Sequence, residues 1–297
     1  MIIDGGTGSE LKRRGIEHDP VYWSAVTSCD HKAVLRAVHG DYIRAGAEVI
    51  TANTFATARY VLAAAGLSAC FAAINRLAVE AACETRDALD RHVAIAGSIS
   101  CLPPRLDARA YPTPDVERDT YRELADFLAE AGVDLLALEM MQDPHHGAMA
   151  AAAAAATGLP FWLGVSARLI EGRLVGFDCA ETALEDTLDR LLEFGPSVVN
   201  VMHTPMDAIG PALALVRELW SGPTGAYPEL EDAPARITPE ALVAAAETWV
   251  RDGARLLGGC CGAGPEHIQA LSDARARLAG ARGYNRNLLD SAQETNS

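Results

Sequence analysis

Apolar residues along this chain fall into short unbroken runs, and a stretch with helical spacing follows each run. The runs are Ile2-Ile3, Val49–Ala52, Val93–Ser98, Leu135–Leu138, Phe161–Val165, Ser197–Val201, Pro223–Tyr227 and Ala254–Leu257. They do not alternate apolar with polar, so each reads as a strand buried on both faces. Helices are predicted over Glu10–Arg14, His31–Ala45, Ser68–Leu89, Pro114 to about Gly132, His145–Thr157, Ala180–Phe194, Pro205–Trp220, Pro239–Asp252 and Pro265–Leu278. In the second of these, Val34, Val38, Tyr42 and Ile43 share one face, and Gly46 supplies the stop. Pro20–Asp30 and Pro103–Pro114 read as loops.

Eight strand-then-helix repeats over residues 1–280 predict an α/β fold of the (β/α)8 TIM-barrel type. A doubly wound open sheet is the competing arrangement. No shift in composition marks a second domain, so residues 1–280 read as one barrel and 281–297 as a polar C-terminal tail. A barrel makes a sharp demand on the polar residues at its strand ends. Asp4, Asn53, Ser98, Glu139, Asn200, His203, Cys260 and Cys261 come from different strands, and only ring closure brings them to one mouth.

Charge narrows the partners. Lys and Arg total 25 against 40 Asp and Glu, a formal net charge of −15, and the only lysines are Lys12 and Lys32. Such a surface argues against nucleic acid and anionic membrane. The longest low-polarity stretch, Ala148–Ala156, is too short to cross a bilayer. The chain opens on Met1-Ile2-Ile3 without a basic leader, and its seven cysteines are scattered. A reducing cytoplasm is therefore the expected setting.

The densest chemistry is Gly258-Gly259-Cys260-Cys261-Gly262. Adjacent cysteines on an extended strand point to opposite faces, but the flanking glycines can bend the backbone until both sulfurs converge. Two converging thiolates suit zinc; two small buried core residues are the plainer alternative. Gly5-Gly6-Thr7-Gly8 lacks the lysine of a phosphate loop. His145-His146 and His267 are expected on exposed helix faces, and Cys101 is expected to be incidental.

Asp4-Gly5-Gly6-Thr7-Gly8-Ser9-Glu10-Leu11, Thr51-Ala52-Asn53-Thr54-Phe55, Leu136-Ala137-Leu138-Glu139, and Gly258–Gly262 with Pro265-Glu266-His267-Ile268 resemble the homocysteine S-methyltransferase family, from Met1 to about Leu278. That family includes the betaine–homocysteine methyltransferases and the homocysteine module of methionine synthase. The resemblance implies a zinc barrel that methylates the thiol of homocysteine to give methionine. Cys260 and Cys261 match two of three cysteine ligands to Zn2+. Asp4, Gly5, Glu139 and Asn200 fall at substrate-binding positions. S-methylmethionine or S-adenosylmethionine is the implied donor, with betaine as a further candidate. The partners implied are small molecules, and a homo-oligomer is compatible. A barrel that has lost methyl transfer, or acts as a metal-independent lyase on an amino acid or thiol, is the alternative.

Three departures accompany the resemblance. The third cysteine of the family follows an asparagine, and here that dipeptide is Asn200-Val201. Met140 follows Glu139 where the family often has threonine, and Glu229 follows Tyr227-Pro228 where it usually has asparagine. Residues two apart on a strand face the same way, so His203 is expected to stand on Val201's side and to reach back as the third ligand. A set of two cysteines and one histidine is a catalytic zinc site.

Overall fold

The structure is a computed structural model describing residues 1–19, 21–101, 112–231 and 237–280. The predicted tail, 281–297, and nearly all of the predicted loop between Pro103 and Pro114 lie outside the described residues. Seven strands form one parallel sheet. In spatial order they are β1 (Val49–Ala52), β2 (Ala94–Ser100), β3 (Leu135–Met141), β4 (Phe161–Val165), β7 (Val198–Met202), β8 (Thr224–Tyr227) and β9 (Leu256–Leu257).

The first predicted strand joins the two ends of that sheet. Ile2 pairs in parallel with Leu257 and Ile3 with Val49. Ile3 N donates to Leu257 O (2.8 Å), Asp4 N to Val49 O (3.1 Å) and Glu48 N to Ile2 O (2.7 Å). An open sheet would leave two free edges. Here one segment pairs with both, so the strands close as a (β/α)8 barrel and the doubly wound alternative falls.

Helices α1 (Thr7–Arg13), α2 (Thr27–Asp30), α3 (Lys32–Arg44), α4 (Arg59–Ala64), α5 (Phe71–Leu89) and α6 (Pro114–Ala131) cover the first half. Helices α7 (Pro144–Ala156), α8 (Leu184–Leu192), α9 (Met206–Leu219), α10 (Pro239–Arg251) and α11 (Pro265–Asp273) cover the second. Proline in the first turn opens α6, α7, α10 and α11, where its missing N–H leaves no bond unmade. Asp143 caps α7, accepting from the backbone of His145 (2.8 Å) and His146 (2.9 Å). None of the helices among the described residues is long and apolar enough to cross a membrane.

Strand side chains divide by parity into two apolar layers. Leu136, Leu138, Leu163, Val165, Val199 and Val201 pack outward against the helices. Ile3, Val49, Leu135, Ala137, Trp162, Val198, Met202, Tyr227 and Leu256 fill the barrel. This double burial is why the strand runs are apolar throughout.

Two elements depart from the predicted pattern. Helix α4 follows the Asn53–Phe55 loop but has only six residues, too few to show a helical period. A hairpin, β5 (Ala167–Ile170) with β6 (Arg173–Gly176), stands between β4 and α8, so that helix begins at Leu184 rather than Ala180. The hairpin turns at Glu171 and Gly172, both left-handed (φ 50° and 78°).

Candidate active site

The mouth at the C-terminal ends of the strands is a cavity of about 120 Å³ that opens to solvent. Asp4, Gly5, Ser98, Glu139, His203, Cys260 and Cys261 all line it. The N-terminal glycines seat the cysteine turn. A Cβ on Gly5 would lie 2.3 Å from Ala263 O, and one on Gly6 would lie 2.6 Å from Cys260 O. Only glycine permits the two segments to pack this closely. Cys260 N donates to Pro228 O (2.8 Å), Leu230 N to Cys261 O (2.8 Å) and Gly262 N to Ser9 Oγ (2.9 Å). The turn is thus anchored from the last barrel strands and from α1.

His203 completes a cluster with the two thiols. Its Nδ1 lies 3.3 Å from Cys260 Sγ and 3.7 Å from Cys261 Sγ, and the three donor atoms fall within 4.8 Å of one another. It is the one group of three or more metal-ligating side chains found among the described residues. The donor set fits zinc. With Zn–S of about 2.3 Å and Zn–N of about 2.05 Å, a tetrahedral N···S edge is about 3.6 Å. The two observed separations bracket that value.

The ligand position differs in its origin from the expectation above. Val201 is fully buried in the outer layer among the helices and does not share His203's side. Strand β7 ends at Met202, and His203 then takes a left-handed backbone (φ 43°). That turn, not strand alternation, swings the imidazole back over the sulfurs. Its backbone N donates to Tyr227 O (3.2 Å), and Phe177 stands edge-on with ring centroids 4.7 Å apart. Trp23 (φ 51°) and Met140 (φ 56°) also line the cavity in left-handed conformations. Strained backbone of this kind collects at functional sites.

The cluster is electrostatically polarised. The hydrogen bond between the thiols divides them: Cys261 is pulled down to about 5, and Cys260 is raised well above the ordinary thiol value. Burial pushes the His203 imidazole toward neutrality, but the Cys261 thiolate outweighs it and raises the pKa. A thiolate held beside an imidazolium is ready to exchange protons for a metal.

Asp4 and Glu139 face the same space. Thr51 donates to Asp4 through its backbone N (2.6 Å) and its hydroxyl (3.1 Å). Ser98 Oγ donates to Glu139 Oε2. Burial lifts both carboxyls to about 7. Among the described residues, no lysine or arginine lines the cavity. Two carboxylates without a cation among the described lining residues can receive an ammonium group brought by a ligand.

Of the other expected residues, Asn200 and Cys101 lie elsewhere, and Asn53 lines the cavity with its amide already bonded. Asn200 is completely buried and does not line the cavity, and neither its Oδ1 nor its Nδ2 has a protein partner. Asn53 spends its amide on Ser24, donating to Ser24 O (2.7 Å) and accepting from Ser24 Oγ (3.0 Å). Cys101 is buried outside the cavity, 3.2 Å from Met141 Sδ.

The histidine expectations need correction. His145 is exposed as expected, but His146 is half-buried with Nδ1 2.7 Å from the buried Glu117 carboxylate. His267 is 2% exposed, because Gly264 N donates to its Nδ1 (3.2 Å) and its Nε2 meets Ile237 O (3.0 Å). Both ring nitrogens are satisfied, which is what lets a histidine be buried.

Sequence reasoning missed the aromatic and thioether walls, Trp23, Phe55, Trp162, Met202 and Tyr227. Inward parity could have found Trp162, Met202 and Tyr227. Met202 Sδ accepts from Met140 N (3.2 Å) and Ser166 Oγ (3.1 Å).

Comparison with known proteins agrees with this geometry. The family described as homocysteine S-methyltransferase matches residues 1–275. A homocysteine S-methyltransferase of Bacillus subtilis, YbgG, is 28% identical over 302 residues, 92% of this chain and 93% of that protein. A selenocysteine methyltransferase of Astragalus bisulcatus is 26% identical over 313 residues, 91% of this chain and 90% of that one. The metallated form of the homocysteine methyltransferase MmuM from Escherichia coli superposes with a TM-score of 0.76. Its identity is 25%, and the match covers 92% of this chain and 95% of that one.

Proposed function

This chain belongs to the homocysteine S-methyltransferase family, and from that premise we propose that it transfers a methyl group from a small sulfonium donor to the thiol of homocysteine, giving methionine. S-methylmethionine and S-adenosylmethionine are the donors proposed. The observation that carries the reading is the convergence of His203, Cys260 and Cys261 in one mouth with two carboxylates and, among the described residues, no lysine or arginine.

His203, Cys260 and Cys261 would hold zinc. When bound, zinc keeps the substrate thiol ionised at neutral pH and fixes its sulfur, so no general base is needed beside it. Asp4 and Glu139 receive the ammonium of homocysteine, and Thr51 and Ser98 hold those carboxylates in place. Gly5 allows the close approach of the substrate-binding segment to the cysteine turn. Trp23, Phe55, Trp162 and Tyr227 exclude water and offer ring faces to an onium centre. Asn200 supports the layer beneath this floor. The free cysteines throughout the chain fit a reducing cytoplasm.

An imidazole in place of a thiolate leaves the metal set one unit more positive. The substrate thiol then ionises more readily but is a weaker nucleophile. Methyl transfer should be slower than in a three-cysteine relative.

Metal analysis followed by a panel of donors and acceptors tests the proposal. About one equivalent of tightly held zinc per chain, with methionine formed from homocysteine, is the expected result. Selenocysteine belongs in the acceptor panel, given the name of one relative. A chain that holds no zinc and transfers no methyl group would instead be a barrel that has lost the reaction.

A further inference from the structure

The proposed reaction brings two carboxylates into a mouth that, among the described residues, no lysine or arginine lines. Asp4 and Glu139 answer the ammonium of homocysteine, but no cation among the described lining residues answers the acid end of an amino-acid donor. An arginine stands one ring behind the metal cluster. The Arg168 guanidinium lies 5.4 Å over the centroid of Phe177, and Phe177 is the ring packed edge-on against His203.

Among the described arginines, Arg168 is the one with a buried guanidinium nitrogen that has no hydrogen-bond partner. Arg14 and Arg59 each sit on a carboxylate, at 3.0 Å from Glu10 and 2.6 Å from Glu123. Arg168 has no ion pair among the described residues, and its Nε is buried without a hydrogen-bond partner. Asp178, which follows Phe177 in sequence, instead accepts from Gln142 Nε2 at 3.4 Å. A partly desolvated guanidinium without a carboxylate is unfavourable, and stacking on Phe177 offsets only part of that.

The backbone under Arg168 is fixed to the site. Ser166 Oγ donates to Met202 Sδ (3.1 Å), and Ala167 N donates to Thr204 Oγ1 (3.0 Å), so the base of the hairpin is tied to the turn that carries His203. The guanidinium therefore keeps a constant relation to the metal-ligating histidine.

We propose that Arg168 recognises the carboxylate of the methyl donor, so that the enzyme selects onium donors bearing a free carboxylate over those without one. The proposal rests on the methyltransferase reading given above. Guanidinium and carboxylate meet as a two-point, charge-assisted pair, which a lysine reproduces only as a single point.

The test uses S-methylmethionine and its methyl ester as paired donors with the zinc-loaded enzyme. Arg168→Gln should raise the KM for S-methylmethionine roughly tenfold or more. The KM for the ester, the KM for homocysteine and the zinc content should stay at wild-type values. Arg168→Lys should give an intermediate preference for acid over ester, and it serves alone if the glutamine variant does not fold. An equal rise for acid and ester, a rise confined to homocysteine, or an unchanged preference in the lysine variant overturns the proposal. If the wild-type enzyme transfers methyl from no donor, the methyltransferase reading fails. Calorimetric binding of S-methylmethionine to wild-type and Arg168→Gln protein then decides the role of Arg168 separately: equal affinities overturn it, and a tenfold loss supports it.

Discussion

Replacing Asp4 with asparagine should make the metal-free, substrate-free protein more stable at pH 8 while removing tight homocysteine binding. Burial raises the Asp4 carboxyl from 3.8 to about 7, chiefly by desolvation. The folded carboxyl therefore binds its proton more tightly than the unfolded one. Its contribution to stability is complete below pH 3.8 and is lost as the pH rises through about 7. Three pKa units at about 1.4 kcal/mol each set a ceiling near 4 kcal/mol at pH 8, falling to less than half of that at pH 5. Asparagine keeps the shape and never ionises. Its Oδ1 can accept from Thr51 N while Nδ2 faces the Thr51 hydroxyl, which can turn to accept. Allowing for imperfect geometry, we expect a gain of about 1–3 kcal/mol at pH 8, or several degrees in melting temperature for a chain of this size. Denaturant titrations of chelated protein at pH 5 and pH 8 measure it, and calorimetry on zinc-loaded protein measures the lost affinity. The reasoning is refuted if Asp4→Asn is less stable than wild type at pH 8. The carboxylate would then make a net favourable interaction in the free enzyme, and a role in awaiting an ammonium would not explain its burial.

Three further outcomes follow from the same geometry. His203→Ala should lose most of its zinc by metal analysis and His203→Cys should retain it, whereas Val201→Ala should keep a full complement and lose about 2 kcal/mol of stability as a core truncation; zinc loss in the Val201 variant would return the ligand to that position. Ser98→Ala should raise the KM for homocysteine about tenfold, the worth of a hydrogen bond to a charged group, with zinc content unchanged; an unaltered KM would detach Ser98 from the orientation of Glu139. Gly225→Ala should destabilise the protein by about 1–3 kcal/mol in urea titrations, because its Cβ would lie 2.2 Å from Asn200 Oδ1 and 2.7 Å from Leu256 Cβ; a neutral substitution would mean that the Asn200 layer is loosely packed.

The strands were legible because a strand buried on both faces is apolar along its whole length, and seven of the eight runs overlap observed strands closely. The remaining run, Ile2-Ile3, is too short to form a ladder of its own and pairs through isolated bridges. The β5–β6 hairpin was not legible. Its turn uses Glu171 at a left-handed position where asparagine or aspartate would be the usual signal. The pair Cys260–Cys261 announced itself through its glycines. His203 was named for a reason that fails, since alternation along β7 sends Val201 outward to the helices and Met202 inward. What brings the imidazole to the thiols is a single positive φ after the strand ends. Pattern rules describe regular backbone, and here the chemistry sits on the residue that leaves it. His267 misled for a related reason: nothing in the order of residues shows that Gly264 N and Ile237 O will meet both of its ring nitrogens.

The stave that closes the barrel has a temporal consequence. Ile2 and Ile3 leave the ribosome long before Leu257, yet the ring closes only when Leu257 arrives beside Ile2. Asp4 and the Cys260–Cys261 turn meet across that same seam, through Gly259 N to Asp4 O at 3.2 Å. A nascent chain can pair β1 to β8 in sequence and still have neither a closed ring nor a complete zinc set. Contacts of such long sequence separation form late and slowly. Capture of the proposed zinc would therefore be coupled to the final act of folding. An unfinished or truncated chain withholds its chemistry until the barrel is whole.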